Sequence, residues 1–187
     1  DGNEATSPVT ADVWAEHSIW TQDPQFALAL KGGVTTFHVL PGSANLIGGR
    51  GVTAKNVQRN TINSMKFPNA PHTLKMACGE NPKRVYGNRK QAPSTRMGNI
   101  AGYRKAWIDA ESYLSRLDEY DSKSDEAKEI GYKPKRDLEL ETLAGVLRGE
   151  ILVHNHCYRA GEMAMMIDVA KEFNYKITAF HLSLIHI

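Results

Sequence analysis

Four stretches of the chain repeat apolar positions three and four apart, and four others are short apolar runs closed by turn residues. Asp23-Pro24 opens the first helix, with Asp23 as N-cap, Pro24 in the first turn, Phe26, Ala27 and Leu30 on its apolar face and Gly32-Gly33 as its stop. Residues 99–117 form the second, where Ile100, Tyr103, Trp107, Ala110, Leu114 and Leu117 trace one face. Asp137 caps the third, with Leu140, Leu143, Ala144 and Leu147 inward, and Gly149 ends it. The fourth spans 160–173, with Met163, Met166, Ile167, Ala170 and Phe173 facing in. The strand-like runs are 34–40, 74–77, 151–154 and 177–181. Residues 42–51 read as a glycine-rich loop, and the charged stretch 118–135 as a helix end plus exposed loop.

Helix and strand alternate with short connections, which predicts parallel pairing through right-handed crossovers. At 187 residues the chain suits one domain with a real core, and it contains no internal repeat. A formal charge of +2 is too small to argue for nucleic acid. The densest basic group, Lys83, Arg84, Arg89 and Lys90, reads as a solvated loop. No run approaches the ~18 apolar residues that span a membrane, so no membrane partner is expected. Cys78 and Cys157 each lie beside a strand-like run and are expected as small buried or near-site thiols rather than a disulfide framework. The chain starts at Asp1 and not Met, so its natural N-terminus is expected upstream, and a cytoplasmic location is only a default.

Histidine ends two of the apolar runs. His154 and His156 follow Ile151-Leu152-Val153, and His181 follows Ile177-Thr178-Ala179-Phe180, with one helix between. Strand residues two apart face the same way, so His154 and His156 share a face if the strand continues that far. In a parallel β/α fold these imidazoles stand at the C-terminal strand ends, where such folds build active sites. Neutral imidazole there suits zinc, iron, nickel or cobalt. Lys75 inside an apolar run is costly to bury charged: it either snorkels at an edge or has a task, such as carbamylation into an anionic metal bridge. Glu80 in the next loop either supplies a carboxylate or pairs with Lys83 or Arg84. His38 ends the first strand and is expected to look into the same mouth, whereas His17 and His72 read as surface residues. The loop 42–51 matches neither the Walker pattern nor GxGxxG, so close backbone approach to a site or to a neighbouring loop is its better reading.

Taken in order, these segments resemble the amidohydrolase superfamily. Gly33-Val34-Thr35-Thr36 resembles its GVTT strand, Leu74-Lys75-Met76-Ala77 its fourth-strand lysine segment, Val153-His154-Asn155-His156 with Arg159-Ala160 its fifth, and residues 177–181 its sixth. The subgroup most resembled is that of imidazolonepropionase- and prolidase-like hydrolases, and residues 39–51 and 74–87 resemble a branch beside it. The resemblance implies a (β/α)8 TIM barrel with one or two divalent metal ions, zinc first and iron, manganese, cobalt or nickel as alternatives. It implies hydrolysis of amide or related C–N bonds in a small-molecule substrate. By position His154, His181 and Lys75 become metal ligands, with Glu80 as substitute for Lys75; His156, Arg159, Asn45 and His38 become substrate-facing or supporting groups. The family's first-strand His-x-His and eighth-strand aspartate are missing, and a complete barrel needs about 250 residues. The expectation is therefore a partial, unclosed barrel of five or six β/α units over residues 1–181, an internal fragment with little activity of its own, and a non-native tail at 182–187.

Two other readings compete. One is a non-catalytic α/β module that binds an anion or small molecule and whose histidines are structural. The other is a homo-oligomer assembled through helix 99–117.

Overall fold

The computed structural model describes residues 2–181, so the expected tail at 182–187 lies outside the described residues. The fold is mixed α/β, built on one curled five-stranded sheet that fits a partial barrel. Its strands are β1 (Thr36–Val39), β2 (Ile47–Lys55), β3 (His72–Ala77), β4 (Ile151–His156) and β5 (Ile177–His181), in that spatial order. The helices are α1 (Pro24–Lys31), α2 (Glu80–Asn88), α3 (Arg96–Asp121), α4 (Asp125–Ile130), α5 (Leu138–Leu147) and α6 (Ala160–Glu172).

Only half the sheet follows the expected parallel pattern. β3, β4 and β5 are parallel, joined by crossovers through α2–α5 and through α6. β1 and β2 form an antiparallel hairpin, and β2 is antiparallel to β3. Five or six β/α units are thus not what the described residues contain. The reason is β2, which occupies residues read as glycine-rich loop and turns the chain back on itself.

Local signals set the helix starts. Asp23 accepts a hydrogen bond from the Gln25 amide, Thr95 from Gly98 and Asp137 from Leu140. The α1 face expected to be inward is not buried; Phe26 instead stacks on Phe37 of β1, ring centroids 4.9 Å apart. In α3 the expected stripe buries Tyr103, Trp107 and Ala110 completely, together with Ala106 and Tyr113. Of these, Tyr103, Ala106, Trp107 and Ala110 meet Leu143 and Val146 of α5, Met166 and Val169 of α6, and Leu74, Met76 and Val153 of the sheet in one core. Ile167, expected inward on α6, is exposed, and Val169 takes its place.

Cys78 and Cys157 form a disulfide, with Cα atoms 5.1 Å apart, in place of the expected separate thiols. Register explains it: Ala77 pairs with His156 across β3 and β4, so the next residue on each chain is a cysteine facing the other.

Candidate functional site

Alternation along three parallel strands divides the sheet's chemistry. Leu74 and Met76 of β3 and Val153 of β4 point into the core, so Thr73, Lys75, His154 and His156 point to the opposite, inner face. β4 runs to His156, which puts both its histidines in the strand, and His181 of β5 stands in register with His156.

Two hydrogen-bonded groups occupy this face. In the first, His154 Nδ1 lies 2.6 Å from His181 Nε2, the rings stacked with centroids 4.8 Å apart. His38 of β1 meets His154 edge-on at 4.9 Å and is held by a 2.9 Å contact between its Nε2 and Thr73 Oγ1. In the second, Lys75 Nζ donates to Ser43 Oγ at 2.7 Å, and Ser43 Oγ lies 2.7 Å from His156 Nδ1. With Lys75 donating, the Ser43 hydroxyl proton can turn to His156 Nδ1, leaving Nε2 as that ring's N–H. That Nε2 is buried and has no partner among the described residues.

Electrostatics keep this face short of protons. Burial, with His38 and His181 adding repulsion, pushes His154 down to about 4. Burial also lowers His38, His156 and His181, assisted by His181 at the first and by Lys75 at the other two. Lys75, 4% exposed, is pushed down to about 8 by burial. At neutral pH the imidazoles are therefore lone-pair donors, the state in which histidine ligates a metal. Among the described residues no group of three His, Cys, Asp or Glu side chains has metal-holding geometry. The donor chemistry of His154 and His181 still fits a divalent ion. Two nitrogens on one tetrahedral zinc stand ~3.3 Å apart, so at 2.6 Å they share a proton, and ligation asks the rings to part slightly.

The remaining sequence-derived residues lie elsewhere. Glu80 sits in the first turn of α2 and faces Arg84 at 4.0 Å, the ion-pair alternative. Asn45 is buried in a polar knot, its Nδ2 within reach of the Glu4 and Ser7 carbonyls, Thr10 Oγ1 and the Tyr86 hydroxyl, with its Oδ1 accepting from Asn3. Arg159 is the exposed N-cap of α6 and lines a cleft with Glu80. His17 and His72 are exposed, flanking Trp14. Sequence reasoning missed Ser43, Thr73 and Tyr158. Tyr158 stands edge-on to His156 at 4.5 Å. Thr73 was reachable by two-residue parity with Lys75, whereas Ser43 carries no local signal.

No protein-family model matches the chain. It is 36% identical over 196 residues to amidohydrolase tasK of Hapsidospora irregularis, an alignment that covers 97% of this chain and 20% of that protein. The crystal structure of an amidohydrolase from Thermotoga maritima MSB8 superposes with a TM-score of 0.87 at 38% identity, covering 96% of this chain and 45% of that one. The chain thus spans about a fifth of the curated relative and under half of the solved structure. Over nearly its whole length the chain is similar, in sequence and in fold, to part of an amidohydrolase.

Proposed function

We propose that the protein is a metal-dependent hydrolase of amide or related C–N bonds in a small substrate, and that this five-stranded sheet is part of a (β/α)8 barrel. The observation that carries the reading is the cluster of His154, His181, Lys75 and His156 on one face at the C-terminal ends of three parallel strands. His154 and His181 hold the ion through their facing nitrogens, with Lys75 beside them as the further candidate ligand. A bound divalent metal supplies water acidified towards a pKa of about 7 and polarises the scissile carbonyl.

The chain's own residues supply the rest. Burial disfavours the charged form of His154 and His181, so for both facing nitrogens to ligate only the proton they share has to move, to the other ring nitrogen of its imidazole. Ser43 ties Lys75 to His156 and fixes the direction of both. His156 Nε2, buried and unpartnered, is placed to donate to a substrate oxygen. Thr73 orients His38 against His154 and closes one side. His38 hydrogen-bonds to Thr73, Lys75 and His156 to Ser43, and His154 to His181, none of them a carboxylate. The acceptor for the water's proton is therefore expected outside the described residues, and the chain by itself is expected to hydrolyse little or nothing.

Metal analysis of the intact protein tests the reading. Near-stoichiometric zinc, iron, manganese, cobalt or nickel, lost on changing His154 and His181 to alanine, is expected. A metal-free protein in which those two variants leave stability unaltered would make the histidines a structural pair and sink the proposal.

A further inference from the structure

A cleft of about 520 Å³ opens beside the candidate site, lined by Glu80, Lys83, Arg84, Ser94, Arg96 and Arg159 among others. Three segments bring these residues together: α2 after β3, the start of α3, and the N-cap of α6 after β4. The cleft thus lies at the same end of the parallel strands as Lys75 and His156. Four cationic side chains share its walls with a single carboxylate, Glu80, which stands 4.0 Å from Arg84. Lys83 and Arg159 have no ion-pair partner among the described residues.

Four cations against two carboxylates, Glu80 and the buried Glu162, leave an excess of positive charge that disfavours the bare fold, so the arrangement asks for an anion. One of the cations is fixed in place. Arg96 Nε donates at 2.6 Å to Glu162 Oε1, whose side chain is almost completely buried under Gly79, and this leaves the terminal guanidinium nitrogens of Arg96 for a ligand. Gly79 has φ +67°, and a Cβ there would lie 2.3 Å from the Glu162 carboxylate, so glycine is what lets that anchor sit beneath the cleft. Guanidinium groups held this way match the planar fork of a carboxylate or phosphate. The volume falls in the range of small-molecule sites, about 300–1,000 Å³.

Contact connects the cleft to the inner face. Tyr158 packs edge-on against His156 at 4.5 Å and receives a 3.4 Å hydrogen bond from Asn81 Nδ2, while Asn81 Oδ1 accepts one from Arg84 at 3.5 Å. We propose that Lys83, Arg84, Arg96 and Arg159 form a subsite for an anionic group, carboxylate or phosphate, on the substrate itself, whose body then runs past Tyr158 to His156. This rests on the hydrolase reading above, and it narrows the substrate class to amides carrying a negative charge away from the scissile bond.

Calorimetric titration of the intact protein at low ionic strength, with inorganic phosphate and separately with acetate, tests the subsite. Binding is expected to weaken roughly tenfold in Arg84→Gln and in Arg159→Gln, the loss that goes with one charge-assisted contact, and to be unchanged in Lys171→Gln, an exposed charge control. Thermal melts identify any variant that fails to fold, and Lys83→Gln then replaces it. Preference for phosphate or for acetate identifies which group the subsite takes. No binding of either anion, or equal losses in Lys171→Gln, overturns the proposal. The same titration on His154→Ala separates the two readings, because anion affinity is expected to survive there even when metal is lost. Among N-acyl amino acids and their neutral amides, the charged member is expected to show the lower KM, with the advantage removed by Arg84→Gln; equal KM values for both overturn the link to substrate.

Discussion

Asn45 separates a structural from a substrate-facing role. Its side chain is 1% exposed and lies between the N-terminal segment and α2. Its Nδ2 carries two protons, and the nearest acceptors are the Glu4 carbonyl at 2.5 Å and the Ser7 carbonyl at 2.9 Å. Asn45→Ala deletes both donations and the Oδ1 that accepts from Asn3, and it leaves a small void. Three hydrogen bonds at about 0.5–1 kcal/mol net each, with a smaller cavity contribution, place the loss at about 2–4 kcal/mol. Asn45→Asp keeps the volume but turns an oxygen towards those carbonyls with almost no water to screen it, so it is expected to cost more than alanine. Urea unfolding followed by tryptophan fluorescence reads both. With a slope of about 2–3 kcal/mol/M for a chain of this length, the alanine midpoint falls by about 1 M and the aspartate midpoint further. An unchanged midpoint in Asn45→Asp, or a greater loss for alanine than for aspartate, refutes the reasoning. Unchanged midpoints with a lower kcat/KM in the intact enzyme return Asn45 to the substrate.

Gly51→Val tests close approach: a Cβ there would lie 2.5 Å from Thr73 Oγ1, 2.6 Å from Leu40 Cδ2 and 2.9 Å from the Val39 carbonyl, so a loss of about 1–3 kcal/mol is expected in urea unfolding. The imidazoles make the metal-free chain acid-sensitive: His154 falls from 6.5 to about 4 on folding, so the unfolded chain binds more protons between those values. Stability is therefore full above about pH 6.5, drops as pH falls towards 4 and levels off below; denaturation at fixed urea across that window, flattened in part by His154→Phe, checks it. Glu139 behaves oppositely, because burial, with Asp12 and Asp137 nearby, raises its carboxyl to about 7. Its contribution is present at low pH and lost as pH rises through 7, so Glu139→Gln is expected to stabilise by about 1 kcal/mol at pH 8, after solvent screening, and to do nothing at pH 4. Equal effects at both pH values contradict that assignment.

Much of the architecture was legible because periodicity needs only one segment at a time. The α3 stripe of Tyr103, Trp107 and Ala110 and the runs of β3, β4 and β5 were readable in this way, and with them Lys75, His154 and His181 as neighbours at strand ends. What failed required partners distant in sequence. The Cys78–Cys157 bond depends on the register of β3 with β4, across 79 residues. Ser43 reaches His156 across 113 residues from a connection without periodicity. Glu80 was misplaced for a different reason: Gly79-Glu80-Asn81-Pro82 has turn chemistry, and the first turn of a helix uses the same residues.

β2 shows why a glycine-rich run can serve a site without touching substrate. Its core-side positions, among them Ile47, carry side chains, whereas Gly49 and Gly51, opposite Lys75 and Thr73, carry none. Leu40 packs against Gly51, and Pro41 lies 3.5 Å from where a Gly48 Cβ would stand, so the connection from β1 to β2 folds directly over the strand. That connection delivers Ser43 to Lys75 and His156, and β1 brings His38 to Thr73 and His154. A side chain at Gly51 would lift the connection and withdraw Ser43 from both partners. Lys75 would then lose its acceptor while staying buried, an unfavourable state for a charged amine. The same glycines that made residues 42–51 read as loop therefore shape the inner face, by leaving room for the residue that organises it.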